Sequence, residues 1–215
     1  MLRQYRTPGK GENIIVACDP AVGGSDYCAA HFISRDQLDQ VLVYHSRVVA
    51  TEMTNTIYPI MEKVFDLTQI KPVVGYERNN GGAFEMERLA SMNRLGKFEL
   101  FKMPVLGRVE APEAVKYGWE TNSATRPAML GQLKEAIDKR LLRIYDRETI
   151  NEMYSFIVSQ TSSSWKAQAE QGAHDDLVMS LAGAWFIYQN TTAKKLPIFM
   201  RPPKPYQPAD PIIGI

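Results

Sequence analysis

Three runs rich in apolar residues open the chain: Asn13 to Asp19, Tyr27 to Ser34, and Val41 to Val49. The turn-forming stretches Gly23-Gly24-Ser25-Asp26 and Arg35-Asp36-Gln37 separate them, and connections this short predict strands paired as antiparallel hairpins. The spacing then changes. From Glu52 to about Thr68 the apolar positions Ile57, Ile60, Met61, Val64 and Phe65 recur with helical period. Pro72 to Glu77 is short and apolar at nearly every position, as in a strand buried on both faces. Gly81 to Leu95 reads as a helix and Phe98 to Met103 as another strand.

Residues 104–122, with Pro104, Gly107, Pro112 and Gly118, predict an irregular excursion with room for a hairpin. Thr125-Arg126-Pro127 begins a helix to about Lys139, with Ser123 or Thr125 as cap and the proline in the first turn. Leu141 to Tyr145 reads as a fifth strand and Glu148 to Val158 as a helix. A polar loop from Ser159 to Gly172 leads to a last helix ending near Asn190. Hairpins followed by βα crossovers belong to layered α/β folds with a mixed sheet. The expected division is a polar lead-in over 1–12, one domain over 13–190, and an extended Pro-rich tail over 191–215.

Composition changes this picture little. The chain has 215 residues, 23% of them charged, and a formal net charge of +1, so any surface for a polyanion must come from local clustering of Lys and Arg. Cys18 and Cys28 both fall inside expected strands, which argues against a disulfide framework and for a reducing compartment. No Cys/His spacing for zinc, no signal peptide and no apolar run of membrane-spanning length is apparent, so a soluble intracellular protein without membrane contact is expected.

The acidic residues carry more information. Asp19 ends the first apolar run and Glu77 the buried one, each before a Gly-rich turn, while Asp175 and Asp176 open the last helix. A carboxylate where a buried strand stops has no use in packing. Three such positions from separate elements suit oxygen ligands gathered around hard divalent cations. Two such ions can activate a water and neutralise charge on a scissile phosphodiester, so a metal-dependent nuclease is the reading the residues favour.

On a helical wheel Asp175 borders the buried face and Asp176 points away from it, which makes Asp175 the first candidate ligand and Asp176 the second. The plainer roles are a turn for Asp19 before Pro20, a cap for one of the paired aspartates, and support of the Gly-Gly turn for Asp26. Asp26 and His174 are candidates for an outer layer around the acids.

Taken in order, Ala17-Cys18-Asp19-Pro20 with Gly23-Gly24 and Asp26-Tyr27, then Tyr76-Glu77-Arg78-Asn79-Asn80-Gly81-Gly82, Gly118-Trp119, Thr121-Asn122, Thr125-Arg126-Pro127 and Gly172-Ala173-His174-Asp175-Asp176-Leu177-Val178 resemble a known series. The resemblance is to the C-terminal nuclease domain of the large terminase subunit of tailed bacteriophages, and it covers roughly residues 13–190. It implies a ribonuclease H-like, mixed five-stranded sheet flanked by helices, with the first three strands antiparallel and the first and fourth adjacent. It also implies dependence on Mg2+ or Mn2+, with two ions in the active complex. The implied activity is endonucleolytic cleavage of concatemeric double-stranded DNA with little sequence preference.

Asp19, Glu77, Asp175 and Asp176 would then be the catalytic, metal-binding acids. The partners implied are DNA, the terminase ATPase domain, the small terminase subunit and the portal protein, in the cytoplasm of an infected bacterial host. No G-x-x-x-x-G-K-[ST] motif is present, so no ATPase is expected in this chain.

Arg78, Arg126 and Lys166 are the first candidates to approach DNA phosphates, and Arg108 and Lys116 would extend the groove. Trp119 and Trp165 fit core positions better than DNA contacts. Two other readings share the acids: another ribonuclease H-like nuclease, such as a junction resolvase or transposase core, and a non-catalytic DNA-gripping module.

Overall fold

The chain begins with a three-residue strand, β1 (Leu2–Gln4), and continues through β2 (Ile14–Asp19), β3 (Cys28–Ser34) and β4 (Asp39–Ser46). Helix α1 (Ala50–Thr68), strand β5 (Val73–Tyr76), helix α2 (Gly82–Met92) and the two-residue strand β6 (Glu99–Leu100) follow. Then come α3 (Thr125–Asp138), α4 (Arg147–Tyr154), a separate antiparallel hairpin of β7 (Phe156–Thr161) and β8 (Ser164–Ala169), and α5 (Asp176–Gln189). The computed structural model describes residues 1–23, 26–103, 116–154, 156–161, 164–169 and 174–195, with backbone alone for the β7–β8 hairpin.

The main sheet runs β1-β4-β3-β2-β5-β6. Strands β2, β3 and β4 are antiparallel neighbours, while β2 pairs in parallel with β5 and β5 with β6. The expected antiparallel trio and the adjacency of its first member to the fourth strand are therefore present. Every residue of β2 is buried, because the sheet is covered on both faces. Ile14, Val16 and Cys18 pack with Met53, Ile57 and Met61 of α1 and Met86 and Leu89 of α2. Ile15 and Ala17 point the other way, into Leu130 and Leu133 of α3 and Val178, Leu181 and Ala182 of α5. The period-2 alternation thus divides one strand between two cores.

Trp119 is 1% exposed and belongs to the second core, as its sequence context favoured. It packs on Gly183 of α5, where an added Cβ would lie 2.7 Å from the indole Cη2. No other residue fits that crossing without displacing the ring.

The sheet has six strands where the resemblance implies five, and its membership departs from the sequence reading at two places. Residues 141–145 do not form a strand. The outer edge of β4 is already paired with β1 through Leu2↔Tyr44, Arg3↔Val43 and Gln4↔Leu42, so the later segment reaches only one rung, Arg143 beside Asp39. That rung consists of Gln40 N–H to Arg143 O at 3.1 Å and Arg143 N–H to Leu38 O at 2.9 Å. The polar lead-in thus supplies the strand assigned to the later segment.

The helix expected over 148–158 ends at Tyr154, and the polar loop expected over 159–172 contains much of the β7–β8 hairpin. At the start of α3 the cap oxygen comes from neither Ser123 nor Thr125. Asn122 Oδ1 accepts from the Ala124 and Thr125 N–H groups at 2.8 and 2.9 Å. Of the irregular excursion, residues 104–115 lie outside the described residues, as do residues 196–215 of the tail.

Candidate active site

Parallel pairing of β2 with β5 aligns Cys18 with Tyr76, so the next residues, Asp19 and Glu77, leave the sheet side by side. The Glu77 N–H donates to Cys18 O at 2.9 Å, which extends the ladder to the acid itself. A tight return behind it starts α2. Gly82 N–H donates to Asn79 O at 2.9 Å, and a Cβ at Gly82 would run into the Glu77 carbonyl oxygen. The glycines of the Asn-Asn-Gly-Gly stretch are therefore required by close backbone approach. Asp175 and Asp176 arrive from the other side at the start of α5, which packs on β2 and β3.

Asp19 and Glu77 are each 7% exposed, and their carboxyls contact one another. Burial, then the charge and hydrogen bond of Glu77, then Asp176 and Asp175, push the Asp19 carboxyl well above the usual range. Asp176 is pushed up to about 6 by burial and by Asp175, with Asp26 adding to the shift and His174 opposing it. The four acids therefore share one electrostatic field. Asp176 Oδ2 is buried with no hydrogen-bond partner among the described residues, and His174 Nδ1 lies 3.7 Å away.

The aspartate pair divides unevenly. The Asp176 side chain is 18% exposed and its charge acts on Asp19 more strongly than that of Asp175, while Asp175, at 27%, is ion-paired with Arg126 of α3. The wheel separates the two poorly because α5 is buried on nearly all sides from Leu177 to Trp185, which leaves no outward face to measure from.

Glu77 is held by donors absent from the candidate list. Thr121 Oγ1 and Asn79 Nδ2 both donate to Glu77 Oε1, the latter at 2.9 Å. Both residues stand in the Glu-Arg-Asn-Asn and Thr-Asn motifs, so the signal was present. Their role needed the bridge that brings Trp119 alongside Glu77.

Among the described residues no group of three or more His, Cys, Asp or Glu side chains is arranged to hold a metal ion. The stretches converge, but two of the four acids turn to donors of their own: Glu77 to Thr121 and Asn79, Asp175 to Arg126. The donor chemistry nonetheless fits a hard cation, with two carboxylates in contact and a third whose buried oxygen has no hydrogen-bond partner among the described residues.

The basic candidates separate. Arg78 Nε donates to Glu120 Oε1 at 3.0 Å and Nη1 to Tyr117 O at 2.8 Å, so Arg78 ties down the returning segment. Arg126 reaches the site through Asp175, and Lys116 is exposed. Lys166 lies on β8 with its side chain outside the described residues, and Arg108 lies outside them altogether. Asp26 is exposed, and the His174 ring packs edge-on against Tyr27 at 5.1 Å.

The mixed sheet flanked by helices is the ribonuclease H-like fold of large terminase nuclease domains, and the chain has that fold. It is similar to the large terminase nuclease of thermophilic phage G20c with bound magnesium, at 14% identity and TM-score 0.62 over 86% of each chain. The large terminase nuclease domain of Thermus phage P74-26 matches at 17% identity and TM-score 0.59, over 90% of this chain and 87% of that one. The terminase nuclease domain of human cytomegalovirus matches at 13% identity and TM-score 0.56, over 86% and 89%. The G20c nuclease is also known with cobalt and with zinc, and the cytomegalovirus domain in a manganese-soaked form. No family model matches the sequence.

Proposed function

We propose that this chain is the metal-dependent endonuclease part of a viral DNA-packaging terminase, that residues 13–190 are its nuclease domain, and that it cuts concatemeric double-stranded DNA. The observation that carries this is the contact between the Asp19 and Glu77 carboxyls beside the unpartnered buried oxygen of Asp176. Such a set is costly to bury unless a cation or proton joins it. The fold shared with terminase nucleases supports the same reading.

When bound, Mg2+ or Mn2+ would supply an activated water and neutralise charge at the scissile phosphate, two ions dividing these roles. Asp19, Glu77, Asp176 and Asp175 would hold the ions, Asp175 being ion-paired with Arg126 in their absence. Thr121 and Asn79 fix the Glu77 carboxylate through Oε1. Arg126 and Lys116 then meet the phosphate backbone, which gives salt-sensitive binding with little sequence preference. The ATPase domain, small subunit and portal would position DNA, in the cytoplasm of an infected bacterial host, so the isolated chain cuts slowly.

The test is plasmid cleavage. Supercoiled DNA should pass to linear and fragmented forms in Mn2+ and remain intact in chelator or with Asp19→Ala. Cutting that survives Asp19→Ala, or preference for a four-way junction or an RNA–DNA hybrid over linear duplex, would overturn the assignment.

A further inference from the structure

An aspartate at a helix N-cap ordinarily turns its carboxylate onto the N–H groups two and three residues ahead. Asp175 occupies that position on α5, yet its side chain makes no capping bond. The donors do not go unmet. Glu152, 8% exposed on α4, places Oε1 2.8 Å from the Val178 nitrogen and also accepts from Leu177 N–H, the two donors a capping Asp175 would take. Helix α4 packs directly on α5, which makes this reach possible.

We propose that Glu152 is a positioning residue for the α5 aspartates: it caps the helix from a neighbouring element and so leaves the Asp175 and Asp176 carboxylates clear of the Leu177 and Val178 N–H groups, available to a divalent cation. This rests on the nuclease reading above. A helix start exposes several N–H groups and a partial positive charge, and both draw in the nearest carboxylate. With Glu152 in place that demand is met from behind. Asp175 instead extends to Arg126, and Asp176 keeps a buried oxygen with no hydrogen-bond partner among the described residues. Burial pushes the Glu152 carboxyl up to about 8, against the pull of the Val178 N–H and with Asp176 and Asp175 adding to the rise, which places it in the same field. Without Glu152, the acceptors left beside the exposed donors are the aspartates themselves, and a carboxylate folded back onto its own helix is lost as a ligand.

The experiment is Mn2+ titration calorimetry on the full chain, with thermal melts in chelator. Glu152→Met keeps the volume and removes the acceptor; Mn2+ affinity should fall about tenfold or more, the usual scale for a residue that orients ligands. Glu152→Gln keeps an acceptor oxygen and should stay within about twofold of wild type. Glu152→Asp retracts the carboxylate by one methylene and should lose affinity several-fold, which carries the test if the Met variant does not fold. A merely structural role would move the melting temperature and leave the affinity of the folded protein unchanged. Wild-type Mn2+ affinity in both the Asp and Met variants, or in the Asp variant alone should Met not fold, overturns this proposal and leaves the nuclease reading standing. Failure of the wild type itself to bind Mn2+ overturns the nuclease reading, and this one with it.

Discussion

Two clusters of ionisable groups are buried in this fold, and they are treated in opposite ways. Around His31 every demand is met. Its ring is fully buried on β3, with Nδ1 2.7 Å from Ser180 Oγ and Nε2 3.2 Å from Thr149 Oγ1. Thr149 Oγ1 donates to Asp146 Oδ2 at 2.7 Å, which leaves its oxygen to accept from His31 Nε2–H, while Ser180 Oγ stands against Nδ1 and also reaches Leu177 O at 3.2 Å. Asp146 also takes Arg3 Nε at 2.5 Å, the Tyr5 hydroxyl and the Thr149 N–H. Burial pushes its carboxyl up, but these donors outweigh burial and hold it below the ordinary range.

At the ends of β2 and β5 the same fold leaves acids against acids, with one buried oxygen unpartnered among the described residues and two carboxyls pushed up. A satisfied network is part of the scaffold. Uncompensated like charge on that scaffold marks a site for something the chain must bind.

The sharpest way to break this contrast is Asp19→Asn. Cleavage should fall on the order of 10²- to 10³-fold or more, while the protein in chelator should melt higher, because one of two contacting buried carboxylates is gone. A lower melting temperature would mean that Asp19 is structural in the manner of Asp146. Next in size, Arg3→Met strips the ion pair from buried Asp146 and should cost about 3 kcal/mol by urea denaturation, with Mn2+ affinity of the folded protein unchanged.

The pH response should run in opposite directions in the two clusters. Burial lowers His31 to about 3, so between pH 6.5 and 3 the unfolded chain binds the extra proton. Its contribution is complete above pH 6.5 and is lost as pH falls toward 3, and His31→Gln should flatten that part of the stability profile. Asp176, raised to about 6, contributes stability below its unfolded value near 3.9 that is lost as pH rises through 6. Asp176→Asn should remove this loss in chelator, as read from melting temperature against pH. The smallest effect should come from Arg126→Gln: with its competitor gone, Asp175 should tighten Mn2+ binding about two- to threefold, with stability within about 1 kcal/mol of wild type.

Much of the central architecture could be read from period and turn chemistry. Strands β2, β3, β4 and β5, helices α1, α2, α3 and α5, and the position of every candidate acid at the edge of an element follow from local pattern. The failures share a cause. Leu2–Gln4 is too short to show alternation, and it occupies the edge of β4 at Leu42 to Tyr44, leaving residues 141–145 the single bridge at Asp39. The β7–β8 hairpin is rich in Ser and Gln, so its polar sequence resembles a loop. Thr121 became a partner of Glu77, and Glu152 of α5, across 44 and 26 residues of chain, with no local periodicity to report either contact.

By itself the sequence determined which residue types end buried strands and open the last helix, because burial, turn geometry and helical period act over a few neighbouring residues. Which aspartate turns inward, which donor holds each carboxylate, and which helix caps α5 were decided only in the tertiary structure. Those choices are competitions among groups far apart in the chain for the same lone pairs and N–H groups, and a competition has no outcome until folding brings the competitors within reach.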